Sequence, residues 1–358
     1  MLAYFLNKLT YALLTLFGVV TVIFFLFNVL PGDPAQMMMG QNEDSEQLAL
    51  VKKKYGFDKP MGTQYLYYLN DLSPLSFHSQ NKDDYSFRSD GKYNAFLLFP
   101  IAGVDVVVKF PYLRESFTKQ GKKVTQVLSE TLPNTFVLAL TAITIAIIIG
   151  LFLGIISALF KDRWLDKSIQ VLSTLGMSVP SFFSAILFAW LFGFVLHRYT
   201  NLEMTGSLYE LDDFGEAMHI RWKNLILPSI VLGIRPLAVV VQLMRNSLLE
   251  VFSQDYIRTA RSKGLSEFQI IKNHALKNAL NPVITAISGW FASMLAGAVF
   301  VEYIFGWNGI GKEIVNALNT LDLPVIMGSV LVIALVFVMI NILVDLVYAW
   351  LDPKVKLQ

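Results

Sequence analysis

The sequence predicts an all-α integral membrane protein with six transmembrane helices and a small external domain between the first and second helices. Apolar residues make up 54% of the chain and charged residues 16%, and the mean hydropathy is +0.53, which is too apolar for an ordinary soluble protein. Six apolar runs, five of them uncharged and one interrupted only by Arg235, are long enough to cross a hydrocarbon core of about 30 Å, which takes about 20 helical residues. One long polar stretch, residues 31–130, separates the first run from the second.

The runs cover residues 9–30, 132–160, 168–196, 224–244, 278–301 and 323–344. The first run is too long for a signal-peptide core and is followed by Pro31, not by a small-residue cleavage site, so we expect it to remain as a span. Gly150 and Gly154 in the second run form a G-x-x-x-G helix-contact signal. The fourth run contains Arg235, a charge that is costly inside a membrane.

Lysine and arginine in the short loops predict the orientation. The loop 245–277 has six basic and three acidic residues, whereas 198–223 has three basic and five acidic ones. The basic residues in 161–167 and 354–356 fall on the same side as the first of these loops. Because basic loops stay in the cytoplasm, both termini are expected there and residues 31–130 outside. The predicted domains are 1–30 as the first helix, 31–124 as the external domain and 125–352 as the main transmembrane domain.

Composition excludes several kinds of chemistry. The chain has no cysteine, and its histidines, His78, His197, His219 and His274, are scattered, so we expect no metal site. A net charge of +2 gives no reason to expect a nucleic-acid partner. In the external domain, residues 44–55 fit a helix and 106–110 a strand.

The loop 245–282 is more organised than a connector needs to be. Ser253 or Asp255 is expected to cap a helix that runs through Arg261, and Gly264 supplies the left-handed residue on which such helices stop. Ser266 and Gln269 then form a capping box for a second helix, with Leu265 and Ile270 as its hydrophobic staple. Two helices are therefore predicted to meet at a fixed corner.

The second helix places an apolar stripe on one face, and Asn281–Pro282 is expected to mark the boundary with the next span. The stripe consists of Phe268, Ile271, Ala275 and Ala279. Two functions fit this loop: an interfacial helix on anionic lipid, or a docking surface for a protein. Gly264 favours docking, because a lipid-binding helix gains nothing from a fixed corner.

Residues 256–265 (YIRTARSKGL) and 274–281 (HALKNALN) resemble the cytoplasmic coupling loop of ABC-importer permeases of the dipeptide/oligopeptide permease family. The resemblance implies a type I importer transmembrane fold and a loop that inserts into a cleft on an ATPase subunit. By this resemblance the ATPase-coupling residues are Tyr256, Arg258, Thr259, Ala260, Gly264, Leu265, Ser266, His274 and Asn278. Arg258 and Thr259 depart from the general importer motif, and Lys277 replaces its terminal proline.

Other segments are similar to the same family: 30–34, 55–69, 132–138, 178–182 and 301–311, then Asp322, Pro324 and Gly328. The family usually has a proline where this chain has Asn308, and residues 76–119 look like an insertion in the external loop.

The resemblance implies a complex with a second homologous permease, two ATP-binding cassette ATPases and an external substrate-binding protein, in a bacterial inner membrane. ATP and Mg²⁺ then belong to the ATPases, and this chain is expected to bind no cofactor. Di- or oligopeptides are the expected cargo, although permeases for nickel, haem or glutathione are built alike. A motor-independent secondary transporter or channel, or a scaffold or receptor organised by the external domain, remains an alternative.

The segment 306–313 (GWNGIGKE) matches the spacing of a phosphate-binding loop but has Glu313 where Ser or Thr is needed. We interpret it as a glycine-rich turn at the head of a span and expect no catalytic residue in this chain. Arg235 and Glu302 are candidate residues of the transport pathway, each with a structural role as the alternative.

Overall fold

The computed structural model describes residues 2–29, 35–36, 45–82, 84–88, 92–101, 103–211 and 217–351; of 2–6, 28–29, 296–297 and 345–351 it describes the backbone. The motif at 30–34, the basic tail and the Asp352–Pro353 helix stop lie outside the described residues. The α-helices are α1 (Leu2–Val29), α2 (Ser45–Tyr55), α3 (Met61–Leu72), α4 (Val124–Leu159), α5 (Trp164–Ser178), α6 (Ser181–Phe188), α7 (His197–Thr200), α8 (Lys223–Phe252), α9 (Asp255–Ser262), α10 (Glu267–Ile270), α11 (Leu276–Gly297), α12 (Val299–Phe305), α13 (Ile310–Asn319) and α14 (Leu323–Leu351). The strands are β1 (Leu75–Ser79), β2 (Ala95–Ile101), β3 (Val104–Lys109), β4 (Tyr209–Leu211) and β5 (Met218–Ile220).

Two of these helices continue as π-helical turns. Ala189–Val195 follows α6, and Ile271–Ala275 joins α10 to α11. Such turns insert an extra residue into the helical repeat and are frequent at functional sites.

Four helices of the described chain are long and apolar enough to cross a membrane, and two bent pairs raise the number to six if each pair crosses once. The pair α5 and α6 is bent by 106°, and the pair formed by 267–295 and 299–305 by 56°. The six runs predicted from the sequence therefore correspond to four long helices and two bent pairs, which are the third and fifth runs. The first break falls at Val179 and Pro180, both extended, because the ring of a proline disfavours helical conformation in the residue before it.

The chain divides into two compact units, which we call the helix unit and the sheet unit. The helix unit comprises residues 1–8, 131–315 and 335–358, and the sheet unit comprises 9–130 and 316–334. Helix α8 contributes the largest set of buried residues among the described helices of the helix unit. It takes part in two apolar clusters of that unit. The predicted division at residues 30 and 124 stays a prediction.

Helices α4 and α8 approach closely in the helix unit. A Cβ added at Gly150 would lie 2.7 Å from Val240 Cγ1, and one added at Gly154 would lie 2.7 Å from Met244 Cβ. Both distances are too short for a real side chain. The G-x-x-x-G contact expected from the sequence is therefore confirmed.

The sheet unit contains an antiparallel sheet in the order β1-β3-β2, with a register shift between Leu97 and Phe99 of β2. The predicted strand at 106–110 is β3, and the predicted helix at 44–55 is α2. An apolar cluster of this unit joins α1, α3 and the first turns of α14, and it includes Phe24 stacked on Tyr68.

Candidate functional site

The site begins at the corner between α9 and α10. Gly264 has φ +77°, in the left-handed region, and its N–H donates to the Arg261 carbonyl at 2.9 Å. Non-glycine residues rarely adopt this conformation, although asparagine tolerates it better than most. Nothing in this chain lies within 4 Å of a Cβ added at Gly264. The glycine is therefore required by the backbone angle and not by a lack of space.

The helix after the corner begins with the predicted capping box. Ser266 Oγ accepts from the Gln269 N–H, and the Gln269 side chain accepts from the Ser266 N–H at 3.0 Å. Across the corner, Arg261 Nε donates to Glu267 Oε1 at 3.0 Å and Nη2 to Oε2 at 3.3 Å. This two-pronged ion pair was not expected from the sequence. Together these bonds fix the angle at which α10 leaves the corner.

A second bond closes the loop from the other end. Asn278 Nδ2 of α11 donates to Tyr256 Oη of α9 at 2.9 Å. Two predicted site residues that are 22 positions apart are thus brought together. This bond attaches α9 to α11 on this side of the loop.

The loop buries one face and exposes the other. Its inner face packs beneath α8 and consists of Ile257, Ala260, Ile270, Ala275 and Ala279. Leu265 packs against the same cluster as Ile270, as a hydrophobic staple would. The exposed face holds predicted site residues together with an aromatic ring: Tyr256, Arg258, Thr259, Gly264, Ser266, Phe268, His274 and Asn278.

Three expectations about this loop were wrong. Phe268 is 72% exposed instead of buried, because the extra residue of the π-helical turn after α10 places Ile270 on the buried face together with Ala275 and Ala279. The N-cap of α9 is Gln254, with no side-chain cap, since Ser253 Oγ donates back to the Glu250 carbonyl. Pro282 lies inside α11 and does not end a helix.

Arg235 lies beside the break between α5 and α6. Its Nη2 faces the Val179 carbonyl at 3.5 Å, and its Nε is buried without a hydrogen-bond partner. A cavity of about 100 Å³ adjoins it, bounded by α5, α6, α8 and α11. The sequence placed Arg235 in a span but gave no means of finding the cavity.

Glu302, the other candidate pathway residue, is fully buried. Its Oε2 accepts from the Gly311 N–H at 2.7 Å, and a Cβ added at Gly309 would meet its carboxyl group at 2.4 Å. A carboxylate beneath the first turn of α13 accepts hydrogen bonds from N–H groups that have no partner within the helix, and its negative charge is favourable at this end of the helix. This geometry favours the structural role for Glu302.

The glycine-rich segment 306–313 is a turn, as expected, but it heads the ten-residue helix α13 and not a span. Helix α12 precedes it where a phosphate-binding loop needs a strand, and Lys312 Nζ donates to Gly306 O at 3.0 Å and Asn308 Oδ1 at 2.9 Å. The lysine therefore folds back on its own turn.

Two family-like motifs meet at this turn. Trp307 Nε1 donates to the Asn134 carbonyl at 3.0 Å, and the Ile310 N–H donates to Thr135 Oγ1 at 2.8 Å. Asn134 Nδ2 in turn donates to the Asn308 carbonyl at 2.8 Å. The segments 132–138 and 301–311 thus form one hydrogen-bonded joint in the helix unit.

A buried ion pair joins α5 to α8. Arg245 Nε and Nη2 donate to Asp166 Oδ1 and Oδ2 at 2.7 and 2.6 Å, and Ser157 Oγ donates to Asp166 Oδ1 at 2.5 Å. The Asp166 side chain is 2% exposed and that of Arg245 18%. From the sequence Arg245 was expected only to be a basic loop residue, since a partner 79 positions away leaves no local signal.

The sheet unit has two polar joints of its own. Asp322 accepts from Ser116 Oγ, from Thr118 Oγ1 at 2.8 Å and from the Phe117 N–H at 3.1 Å, which holds the loop before α4 against the start of α14. Buried Asp71 accepts from the hydroxyls and guanidinium of three side chains, Tyr85 Oη (2.6 Å), Tyr93 Oη (3.0 Å) and Arg114 Nε (3.0 Å).

Burial shifts the proton affinities around Asp71. It lowers the pKa of Lys92 and of Lys109 to about 8, and raises the pKa of Tyr68 to about 12. Burial also lowers the pKa of His78, whose Nδ1 donates to the Ser86 carbonyl and whose Nε2 accepts from Ser76 Oγ. No cluster of potential metal ligands occurs among the described residues.

The fold and the exposed corner define a polytopic helical membrane protein with an ordered, exposed loop between α8 and α11. The chain belongs to the family of binding-protein-dependent transport system inner membrane components, whose model matches residues 150–357, while the model of the family's N-terminal region matches 1–81. It is a multi-pass inner-membrane permease, as expected from the sequence.

Relatives match along nearly the whole chain. The dipeptide transport system permease protein DppB of Alkalihalophilus pseudofirmus is 32% identical over 99% of this chain and 100% of its own length. DppB of Bacillus subtilis is 33% identical over 96% of this chain and 94% of its own. An inward-facing structure of the MetNI methionine ABC transporter aligns with a TM-score of 0.51 and 16% identity over 64% of this chain and 98% of that one. The predicted type I importer fold is thus confirmed.

Proposed function

We propose that this chain is one transmembrane subunit of an ATP-driven importer of di- or oligopeptides, and that the corner at Gly264 receives the motion of an ATPase subunit. The observation that carries the proposal is the exposed, over-determined corner: a left-handed glycine, a capping box, the Arg261–Glu267 pair and the Tyr256–Asn278 bond. The outer face of the corner is exposed, so the packing of this chain does not depend on it.

The chemistry of that face suits a cleft on a protein. Phe268 offers an exposed apolar side chain, and the same loop exposes the basic residues Arg258, Lys263 and Lys272. An aromatic anchor in a charged rim is typical of a docking site with a central apolar contact. The predicted residues Thr259, Ala260, Leu265, Ser266 and His274 then shape or support this surface.

The remaining partners follow from the same proposal. A permease of this family is expected to pair with a second permease, two ATPases that bind ATP and Mg²⁺, and an external binding protein. The peptide cargo rests on the names of the relatives, both dipeptide permeases. ATP binding closes the ATPase dimer, and the corner moves with it because it contacts the two ATPase states differently.

The test uses the complex purified from membranes through a tag on this chain and reconstituted in vesicles with its binding protein. We expect uptake of a radiolabelled dipeptide only when ATP is supplied on the ATPase side. Gly264→Val, which cannot hold φ +77°, should lower uptake at least about 10-fold and leave insertion and peptide-independent ATP hydrolysis intact.

Gly264→Asn is the matched control, because asparagine tolerates the left-handed region and should retain most uptake. Equal uptake by the valine variant and wild type would contradict the role of the corner. Uptake without ATP, or a complex that contains no ATPase, would contradict the importer itself and favour a motor-independent transporter.

A further inference from the structure

Helix α8 carries two arginines, Arg235 and Arg245, and their surroundings are opposite. Arg245 is bound by both carboxylate oxygens of Asp166 at 2.7 and 2.6 Å, as a structural arginine should be. Arg235 has only the 3.5 Å approach to the Val179 carbonyl, a buried Nε without a partner and, among the residues that the structure describes, no carboxylate within ion-pair distance. No described residue of this chain neutralises its charge.

An unpaired charge at this depth needs an explanation. A guanidinium inside a membrane protein costs several kcal/mol unless it is paired or faces a water-filled cavity. The carbonyls freed beside a proline would be a structural partner, but the single contact to Val179 is at the limit of a hydrogen bond. The arginine is therefore retained at a cost that packing does not explain.

The cavity beside Arg235 has the features of an anion subsite. Its volume of about 100 Å³ holds a carboxylate group with a few waters. Ser181, Ser184 and Ser293 add hydroxyl groups to its wall, and Trp290 and Met294 add apolar surface. A planar guanidinium with free N–H groups pairs with both oxygens of a carboxylate.

We infer that Arg235 binds the C-terminal carboxylate of a transported peptide whose last residue reaches this cavity. The inference rests on the proposed peptide cargo and deepens it. Every linear peptide with a free C-terminus carries this group whatever its side chains, so a site of this kind accepts many sequences and rejects molecules without the anion. The apolar wall of Trp290 and Met294 then meets the last residue without selecting a particular one.

The test measures binding to the purified complex in nanodiscs without its binding protein, so that selection by that protein does not enter. The probe is radiolabelled Ala-Phe, with unlabelled Ala-Phe and its C-terminal amide, Ala-Phe-NH₂, as competitors. We expect the free acid to compete at least about 10-fold better than the amide, since hydrogen bonds between charged groups contribute about 1.5–3 kcal/mol.

Arg235→Gln should abolish this difference, so that acid and amide compete equally and weakly. Arg235→Lys keeps the charge but loses the parallel N–H donors of the guanidinium, so it should retain part of the preference for the free acid. Arg198→Gln is the matched control: it removes an exposed arginine of the same unit and should keep the full preference. The wild-type ratio tests the inference even if a variant does not assemble.

The outcomes separate this inference from the proposed function. If acid and amide bind equally to the wild type, the chain binds peptides but Arg235 does not recognise the carboxylate; pairing of Arg235 with a carboxylate of the second permease would give this result. If neither dipeptide form binds or is transported, peptide import itself is refuted. A preference that persists in Arg235→Gln overturns the assignment to this residue.

Discussion

Single side chains of this protein act through partners far away in the sequence. Asp166 and Arg245 form a buried ion pair with two hydrogen bonds. Asp255 and Arg258 form an ion pair at the surface, where their side chains are 95% and 75% exposed. Removing one member of a buried pair leaves the other charge uncompensated, while an exposed pair contributes about 0–1 kcal/mol. The two pairs therefore allow a matched comparison in one chain.

We expect Asp166→Asn to lower the free energy of unfolding by about 3 kcal/mol, because Arg245 then lacks its counter-charge. Asp255→Asn should change it by less than about 1 kcal/mol. Thermal unfolding of the purified complex, followed by size-exclusion chromatography after heating, checks both. Equal midpoints for the two variants would mean that the buried pair adds no stability.

His78 makes the stability of the sheet unit depend on pH. Its pKa in the folded state lies below the ordinary value, so the unfolded chain binds more protons than the folded one as pH falls through 6.5. Stability is therefore lost towards acid. Lys92 and Lys109, with pKa lowered to about 8, act in the same direction at higher pH, where stability rises between about 8 and 10.4.

We expect hydrogen exchange in β1 and β3, corrected for the intrinsic rate, to become faster between pH 7.5 and 5.5. His78→Gln should weaken this dependence, because the titrating group is gone. His219→Gln, which removes an exposed histidine outside the sheet unit, should leave it unchanged. The idea fails if the wild type shows the same corrected protection at both pH values.

Elements of the chain differ in how far local signals determine them. The capping box at Ser266 and the left-handed Gly264 were predictable because both depend on residues within one turn. The exposure of Phe268 was not, because the π-helical turn at Ile271–Ala275 shifts the face of the helix and has no sequence signature of its own. The break at Pro180 had a signal in the sequence, because a proline disfavours helical conformation in the residue before it, here Val179. A prediction of spans from apolar character alone did not use this signal.

The contact between α4 and α8 depends on two glycines. Gly154→Ala should lower the midpoint of thermal unfolding, because its methyl group overlaps Met244 and overpacking costs about 1–3 kcal/mol. Gly289→Ala is the control, since that position in α11 is open and alanine favours a helix by about 1 kcal/mol. We expect the first variant to melt below the wild type and the second at or above it. The reverse order would contradict the close approach.

For the whole molecule, hydrophobic length and motif spacing were enough to predict the fold class and the family. They were not enough to predict which residues meet. The joint of Asn134 with Trp307, the Asp322 contacts and the cavity at Arg235 all join segments far apart in the chain. Such contacts depend on how helices pack, which local sequence patterns determine only in part.

Orientation in the membrane stays a prediction, and the absence of cysteine makes it simple to test. Single cysteines at Lys82 and His219 should react with a membrane-impermeant maleimide in spheroplasts, whereas those at Lys161 and Lys263 should react only after permeabilisation. The asymmetry of basic residues predicts this pattern. Labelling of Lys263→Cys in sealed spheroplasts would contradict the predicted orientation.

The bend at Val179 and Pro180 also bears on how the protein is made. Helix α5 has 15 residues, which at 1.5 Å each is about 22 Å, shorter than the hydrocarbon core of about 30 Å, and α6 is shorter still. Neither α5 nor α6 with its π-helical continuation to Val195 is long enough to cross the hydrocarbon core by itself. The two halves are therefore expected to enter the membrane as one hydrophobic segment.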